Sequence, residues 1–171
     1  KSRSMAKRPT ESVWDYPRPP RHDPHPGRTR IWQSHPTLGN VLLADTNGAY
    51  RVLETSHPPT YYLPPEDVRL EHFASGRDSS HCEWKGQAVY HDLQTRDRDQ
   101  VVRVPAIAWS YPRPAPQFEP IRGALAFYPS KVTRCEVDGE TATAQAGDFY
   151  GGWINSWIDG GKRGFKGGPG T

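Results

Sequence analysis

The chain has 171 residues, a length suited to one domain, and a formal net charge of +3. Its 18 prolines and 16 glycines exclude long helices, and its two cysteines exclude a dense disulfide framework. No apolar run approaches the roughly 18 residues of a membrane-spanning helix, and the basic residues are interleaved with 19 acids, so charge alone does not indicate a nucleic-acid partner.

Residues 1–10 are read as an extraneous or disordered start and residues 11–171 as one β domain. Within it, 11–29 form a Pro-rich arm that cannot hold a helix and runs extended or as polyproline II. Short strands follow at 30–32 and 41–45, flanking a loop at 33–40. The next is 49–54, where period-two alternation puts Tyr50, Val52 and Glu54 on one face. Residues 60–63 form another strand, and 64–73 make a helical turn or two with Pro65 near the start. From 85 to 91 the pattern alternates again: Gly86, Ala88 and Tyr90 share a face with Trp84, and Lys85 lies on the other. Residues 95–100 read as a loop. Strands are expected at 101–104, 106–109 and 123–128, and a hairpin turns at Asp138-Gly139 between 132–137 and 140–144. Residues 147–171 form a Gly-rich tail carrying Trp153, Trp157 and Phe165. The fold class is all-β: a sandwich or small barrel of short strands with at most one short helix.

Two patterns recur. Trp14-Asp15-Tyr16-Pro17-Arg18-Pro19 returns as Trp109-Ser110-Tyr111-Pro112-Arg113-Pro114, and Trp84-Lys85-Gly86 as Phe165-Lys166-Gly167. The separations are too long and unequal for a solenoid. Either the segments share Pro-rich packing chemistry, or they are two related half-sites facing one cavity.

Among single residues, Glu54 is the leading candidate. A carboxylate on an otherwise apolar strand face serves as a general acid or base, or sits in a buried ion pair. Lys85 and Lys166 each follow an aromatic residue and precede a glycine, which lets backbone approach a ligand closely. Either lysine can hold an anion, pair with Glu54 or act as an amine nucleophile; the alternatives are a solvated strand face for Lys85 and a mobile tail for Lys166. Cys82 is a candidate nucleophile or a packed thiol; in an extended segment Cys82 and Lys85 point to opposite faces, and a Cys–His pair would draw on His57 or His91. His57 lies beside Pro58-Pro59 and close to Tyr61 and Tyr62, at the opening that Glu54 would share. Tyr61, Tyr62, Tyr90, Trp109, Tyr111 and Trp153 are the stock for walling an aromatic pocket or for core packing. No CxxC, HExxH or HxH spacing points to a metal site, and no phosphate-binding P-loop pattern occurs in the Gly-rich tail.

The blocks ESVWDYPRPPR, LETSHPPTYYLPPEDV, CEWKG, AWSYPRP, FYGGW and FKGGPGT, in that order, resemble the family of domains of unknown function numbered 427. The resemblance spans residues 11–171. It implies a compact, mainly β domain with a ligand pocket lined by these polar and aromatic residues. The family has been catalogued as nucleotidyltransferases. It departs from the family's pattern at 33–40, at His81 and in the approach to Phe165.

Three functions follow as expectations. The first is an enzyme without a cofactor that acts on a small organic molecule, with Glu54 as acid or base, Lys85 as anion or carbonyl partner, and His57 and Cys82 as further catalytic candidates. Tyr61, Tyr62, Tyr90, Trp109, Tyr111, Trp153 and Lys166 would contact the ligand. The second is a metabolite- or protein-binding module without chemistry, and the third a metal-dependent nucleotidyltransferase. The expected partner is a small molecule rather than nucleic acid or membrane; a homo-oligomer stays open. The expected compartment is the cytoplasm, with reduced thiols.

Overall fold

The computed structural model describes residues 8–147 and 149–168. The expectations for residues 1–7 and for the last three residues of the tail lie outside them. The strands in chain order are β1 (Glu11–Ser12), β2 (Arg21–Pro24), β3 (Thr29–His35), β4 (Gly39–Thr46), β5 (Tyr50–Leu53), β6 (Thr60–Leu63), β7 (Phe73–Cys82) and β8 (Gly86–Asp97). They continue with β9 (Gln100–Ser110), β10 (Leu125–Phe127), β11 (Arg134–Val137), β12 (Glu140–Thr141), β13 (Thr143–Ala144), β14 (Trp153–Ile154) and β15 (Ile158–Asp159). Helical structure among the described residues is limited to short 3-10 segments, the longest being Pro116–Ile121. No helix among the described residues is long and apolar enough to cross a membrane.

Two sheets dominate. One has seven strands in the order β2-β5-β6-β10-β9-β8-β7, the other four in the order β12-β11-β3-β4, and neither closes into a barrel. The main core lies between them: Ile31 and Leu43 from the small sheet meet Leu63, Leu93, Ile107 and Phe127 from the large one. Alternation along the large sheet sends neighbouring side chains to opposite faces. Leu53, Tyr61, Leu63, Leu125 and Phe127 enter this core, whereas Val52, Tyr62 and Ala126 emerge on the other face. There they join Trp109, Tyr111, Phe118 and Tyr128 in a second cluster, predominantly aromatic. A cavity opens on that second face.

The Pro-rich arm is more regular than its composition predicts. It carries a 3-10 turn at Val13–Asp15, capped by Ser12, and then β2 adds to the sheet edge by pairing with β5. Arg8, at the close of the expected disordered start, pairs with Asp138 and lies over the Trp157 ring at 4.4 Å. The expected helical turns at 64–73 are two 3-10 pieces, Pro65–Asp67 and Leu70–His72. Residues 33–40 and 95–100, expected as loops, largely belong to long paired strands of the β3–β4 and β8–β9 hairpins. Strand β9 runs through Pro105, with Ala106 at a φ of 49° and a register shift opposite it in β8.

Candidate functional site

A cavity of about 420 Å³ opens on the second face of the large sheet. Its floor is the aromatic cluster: Tyr62 from β6, Tyr90 from β8, Trp109 from β9 and Tyr128 just after β10. The Trp109 indole N–H donates to the Tyr62 hydroxyl at 3.2 Å, and the Tyr90 hydroxyl lies 2.9 Å from Ser80 Oγ. Burial raises the Tyr62, Tyr111 and Tyr128 phenols well above their ordinary range, so all three stay protonated near neutral pH. They therefore offer hydroxyl groups, not phenolates.

Glu54, His57, Cys82 and Lys85 all line this cavity, as do Tyr62, Tyr90, Trp109, Tyr111 and Lys166. Chain segments far apart in sequence thus converge on one opening. Glu54 follows directly on β5 and shares its face with Val52, which also lines the cavity. No ion pair ties the Glu54 carboxylate to a cation among the described residues.

Two expected ligand contacts are corrected. Tyr61 and Trp153 are not in the cavity wall but in the main core, almost fully buried, with ring centroids 4.6 Å apart. Burial pushes the Tyr61 phenol up to about 12. The cause is alternation: Tyr61 and Tyr62 are consecutive on β6, so only one can face the cavity.

The geometry around Lys85 also differs from the expected alternation. Residues 83–85 form the hairpin turn between β7 and β8, whose flanking pair is Cys82 opposite Gly86. The turn interrupts the period-two pattern, so Cys82, Trp84 and Lys85 all reach the same cavity. Lys85 Nζ lies 5.9 Å from the Tyr111 ring centroid. Gly86, at a φ of 111°, serves close backbone packing: a Cβ there would sit 3.3 Å from the Arg113 carbonyl oxygen. Gly167 does the same, with a Cβ position 2.6 Å from the Ala146 carbonyl oxygen.

His57 is held by Gln145, which is buried and follows β13. The Gln145 side chain accepts the Gly152 N–H at 3.2 Å through Oε1 and donates from Nε2 to the Lys166 carbonyl at 2.7 Å. These two contacts fix the orientation of the amide. The same Nε2 lies 3.2 Å from His57 Nδ1, which must then be the acceptor. The neutral imidazole consequently carries its proton on Nε2. Burial lowers the His57 pKa; Glu54 opposes that shift, while Lys85, Lys166 and Arg18 reinforce it. The Tyr150 ring packs on the imidazole at 5.1 Å. His91, the other histidine considered beside Cys82, bonds instead to Ser110 Oγ at 2.8 Å.

Sequence reasoning missed Arg18, Gln145 and Tyr150. Arg18 sits inside the recurring W-x-Y-P-R-P pattern, which was its available signal. Gln145 has none: a lone glutamine before a glycine-rich stretch acquires its role only through tertiary contacts. Among the described residues, no group of three or more His, Cys, Asp or Glu side chains is placed to hold a metal ion.

Residues 33–138, more than half of the chain, match the model of a family described as a domain of unknown function, DUF427. The chain belongs to that family. No curated protein matches it.

Proposed function

We propose that this DUF427 domain is an enzyme acting on a small organic molecule in the aromatic cavity, by acid–base chemistry of its own side chains. The observation that carries the proposal is the meeting of Glu54, His57 and Lys85 at one opening, with Glu54 free of any internal ion pair among the described residues. A carboxylate kept unpaired at a cavity wall is available for proton transfer. Neutral His57, protonated on Nε2, supplies a hydrogen-bond donor to a ligand oxygen. Lys85 supplies positive charge for an anionic group or a developing oxyanion. Tyr62, Trp109 and Tyr111 wall the apolar part of the ligand and exclude water.

The test is a thermal-shift screen of the purified chain against small organic acids, carbonyl compounds and nucleotides, the last with and without Mg²⁺, followed by turnover assays on the hits. A ligand at about 100 times its Kd stabilises by roughly 2.7 kcal/mol, several degrees for a chain of this size. The expected result is a small-molecule hit whose turnover is lost in Glu54→Gln while binding remains. Unchanged turnover in Glu54→Gln removes Glu54 from the chemistry. Stabilisation without turnover of any hit favours a binding module, and stabilisation by nucleotides only with Mg²⁺ favours the nucleotidyltransferase reading.

A further inference from the structure

The two recurring sequence patterns meet in space, each W-x-Y-P-R-P segment against one aromatic-Lys-Gly turn. In the arm, the Trp14 indole N–H donates to the carbonyls of Gly160 and Gly164 at 2.8 and 3.0 Å, the latter immediately before Phe165-Lys166-Gly167. In the sheet, the Ala115 N–H, one residue past Trp109–Pro114, donates to the Lys85 carbonyl at 2.9 Å. Both lysines line the cavity, and Arg18 from the arm joins them. The recurrence is thus more than shared packing chemistry: it delivers one lysine twice to a single opening.

The cations arrive from two sides. The Thr55 N–H donates to the Pro17 carbonyl at 3.1 Å and the Lys166 N–H to the Ser56 carbonyl at 2.8 Å, so Arg18 and Lys166 are both anchored at the turn leaving β5. Lys85 comes from the β7–β8 turn, and strands β6, β10 and β9 lie between β5 and β8 in the sheet. Tyr62 and Trp109, on two of those intervening strands, floor the cavity. None of the three cations has a carboxylate partner among the described residues, unlike Arg51, which pairs with Glu11 and Asp23. Among the described lining residues the three cations face two carboxylates, Glu54 and Glu83. Lys85 is half-buried while Arg18 and Lys166 are exposed, and all three are available to pair with an anionic ligand in the cavity.

Taking the cavity as a ligand site, as proposed above, we infer that its ligand is a small molecule with two anionic groups, carboxylate or phosphate, one met by Lys85 and the other by Arg18 and Lys166, across an apolar middle on Tyr62 and Trp109.

Isothermal calorimetry on the purified chain tests this with matched pairs: glutarate against butyrate, terephthalate against benzoate, and phosphonoacetate against acetate and inorganic phosphate. The third pair separates a phosphate-bearing ligand from a dicarboxylate. The expected result is that one dianion binds at least about tenfold tighter than its single-anion partner, the scale of one hydrogen bond to a charged group. Lys85→Met and Lys166→Met should each remove that advantage, and Lys85→Arg and Lys166→Arg should retain most of it. Melting temperatures of all four variants check that they fold. Single anions that bind as tightly as their dianions, with binding lost in Lys85→Met, overturn the two-anion inference and leave the cavity reading standing. Dianion affinity unchanged in both Lys→Met variants overturns the inference as well. Absence of binding by every compound overturns both.

Discussion

Gln145 decides which nitrogen of His57 carries the proton. Its amide nitrogen faces Nδ1 at 3.2 Å, and its amide oxygen is committed to the Gly152 N–H. Nitrogen-detected NMR of the imidazole should therefore show the Nε2–H tautomer, titrating below the ordinary histidine value of about 6.5. In Gln145→Glu a carboxylate replaces that donor, and the His57 pKa should rise. A titration unchanged by Gln145→Glu would remove Gln145 as the positioning residue. Gln145→Ala leaves the buried Gly152 N–H unsatisfied and should lower stability by about 1–3 kcal/mol, read from urea unfolding.

A second histidine governs stability against acid. His25 is buried, and burial, reinforced by Arg8 and Arg51, lowers its pKa to about 4; Glu11 and Asp23 oppose that shift, and the Asp138 carboxylate lies 3.4 Å from Nε2. The unfolded chain takes up this proton near pH 6.5, while the folded chain refuses it until about pH 4. Between those values the unfolded state binds more protons, so stability falls as pH drops and levels off below about 4. Urea midpoints across this window should show a steeper acid loss in the wild type than in His25→Gln. Identical slopes would count against a buried, neutral His25.

Gly151 is held against the cavity wall. A Cβ there would lie 2.3 Å from Trp109 Cη2 and 2.7 Å from Cζ3. Gly151→Ala must displace an indole that is already bonded to the Tyr62 hydroxyl. The expected cost is about 1–3 kcal/mol, with a change in tryptophan fluorescence. A variant as stable as the wild type with an unchanged spectrum would contradict the close packing of this loop.

Trp153 and Phe149 make a matched contrast. Trp153 is fully buried and its indole N–H donates to the Phe127 carbonyl at 3.1 Å, whereas Phe149 lines the cavity and is 71% exposed. Trp153→Ala should cost about 3–5 kcal/mol. Phe149→Ala should stay within about 0.5 kcal/mol of the wild type and act on ligand affinity instead. Equal melting temperatures for the two variants would contradict the assignment of Trp153 to the core.

Much of this arrangement is legible from local chemistry. Alternation puts Val52 and Glu54 on one face, and Asp138-Gly139 turns the β11–β12 hairpin; both depend on neighbours in sequence. The same rule separates Tyr61 from Tyr62, because consecutive residues of a strand face opposite sides of the sheet. The edge strand β7 has no such signal, because its polar run FASGRDSSHC buries little and so shows no alternation. The turn at 83–85 is hidden for another reason: Trp84-Lys85-Gly86 continues the alternating pattern of β8 in composition but not in backbone. The convergence of Arg18, Gln145 and Lys166 on His57 depends on contacts across the whole chain, which no local pattern encodes.

The most direct test of the cavity as the functional site is a crystal structure of the wild-type chain soaked with a panel of small organic acids. The account predicts ligand density inside the cavity, with an oxygen in hydrogen-bond reach of His57 Nε2 and Lys85 Nζ. Ligand density found only elsewhere on the molecule, with this cavity holding solvent alone, would contradict it.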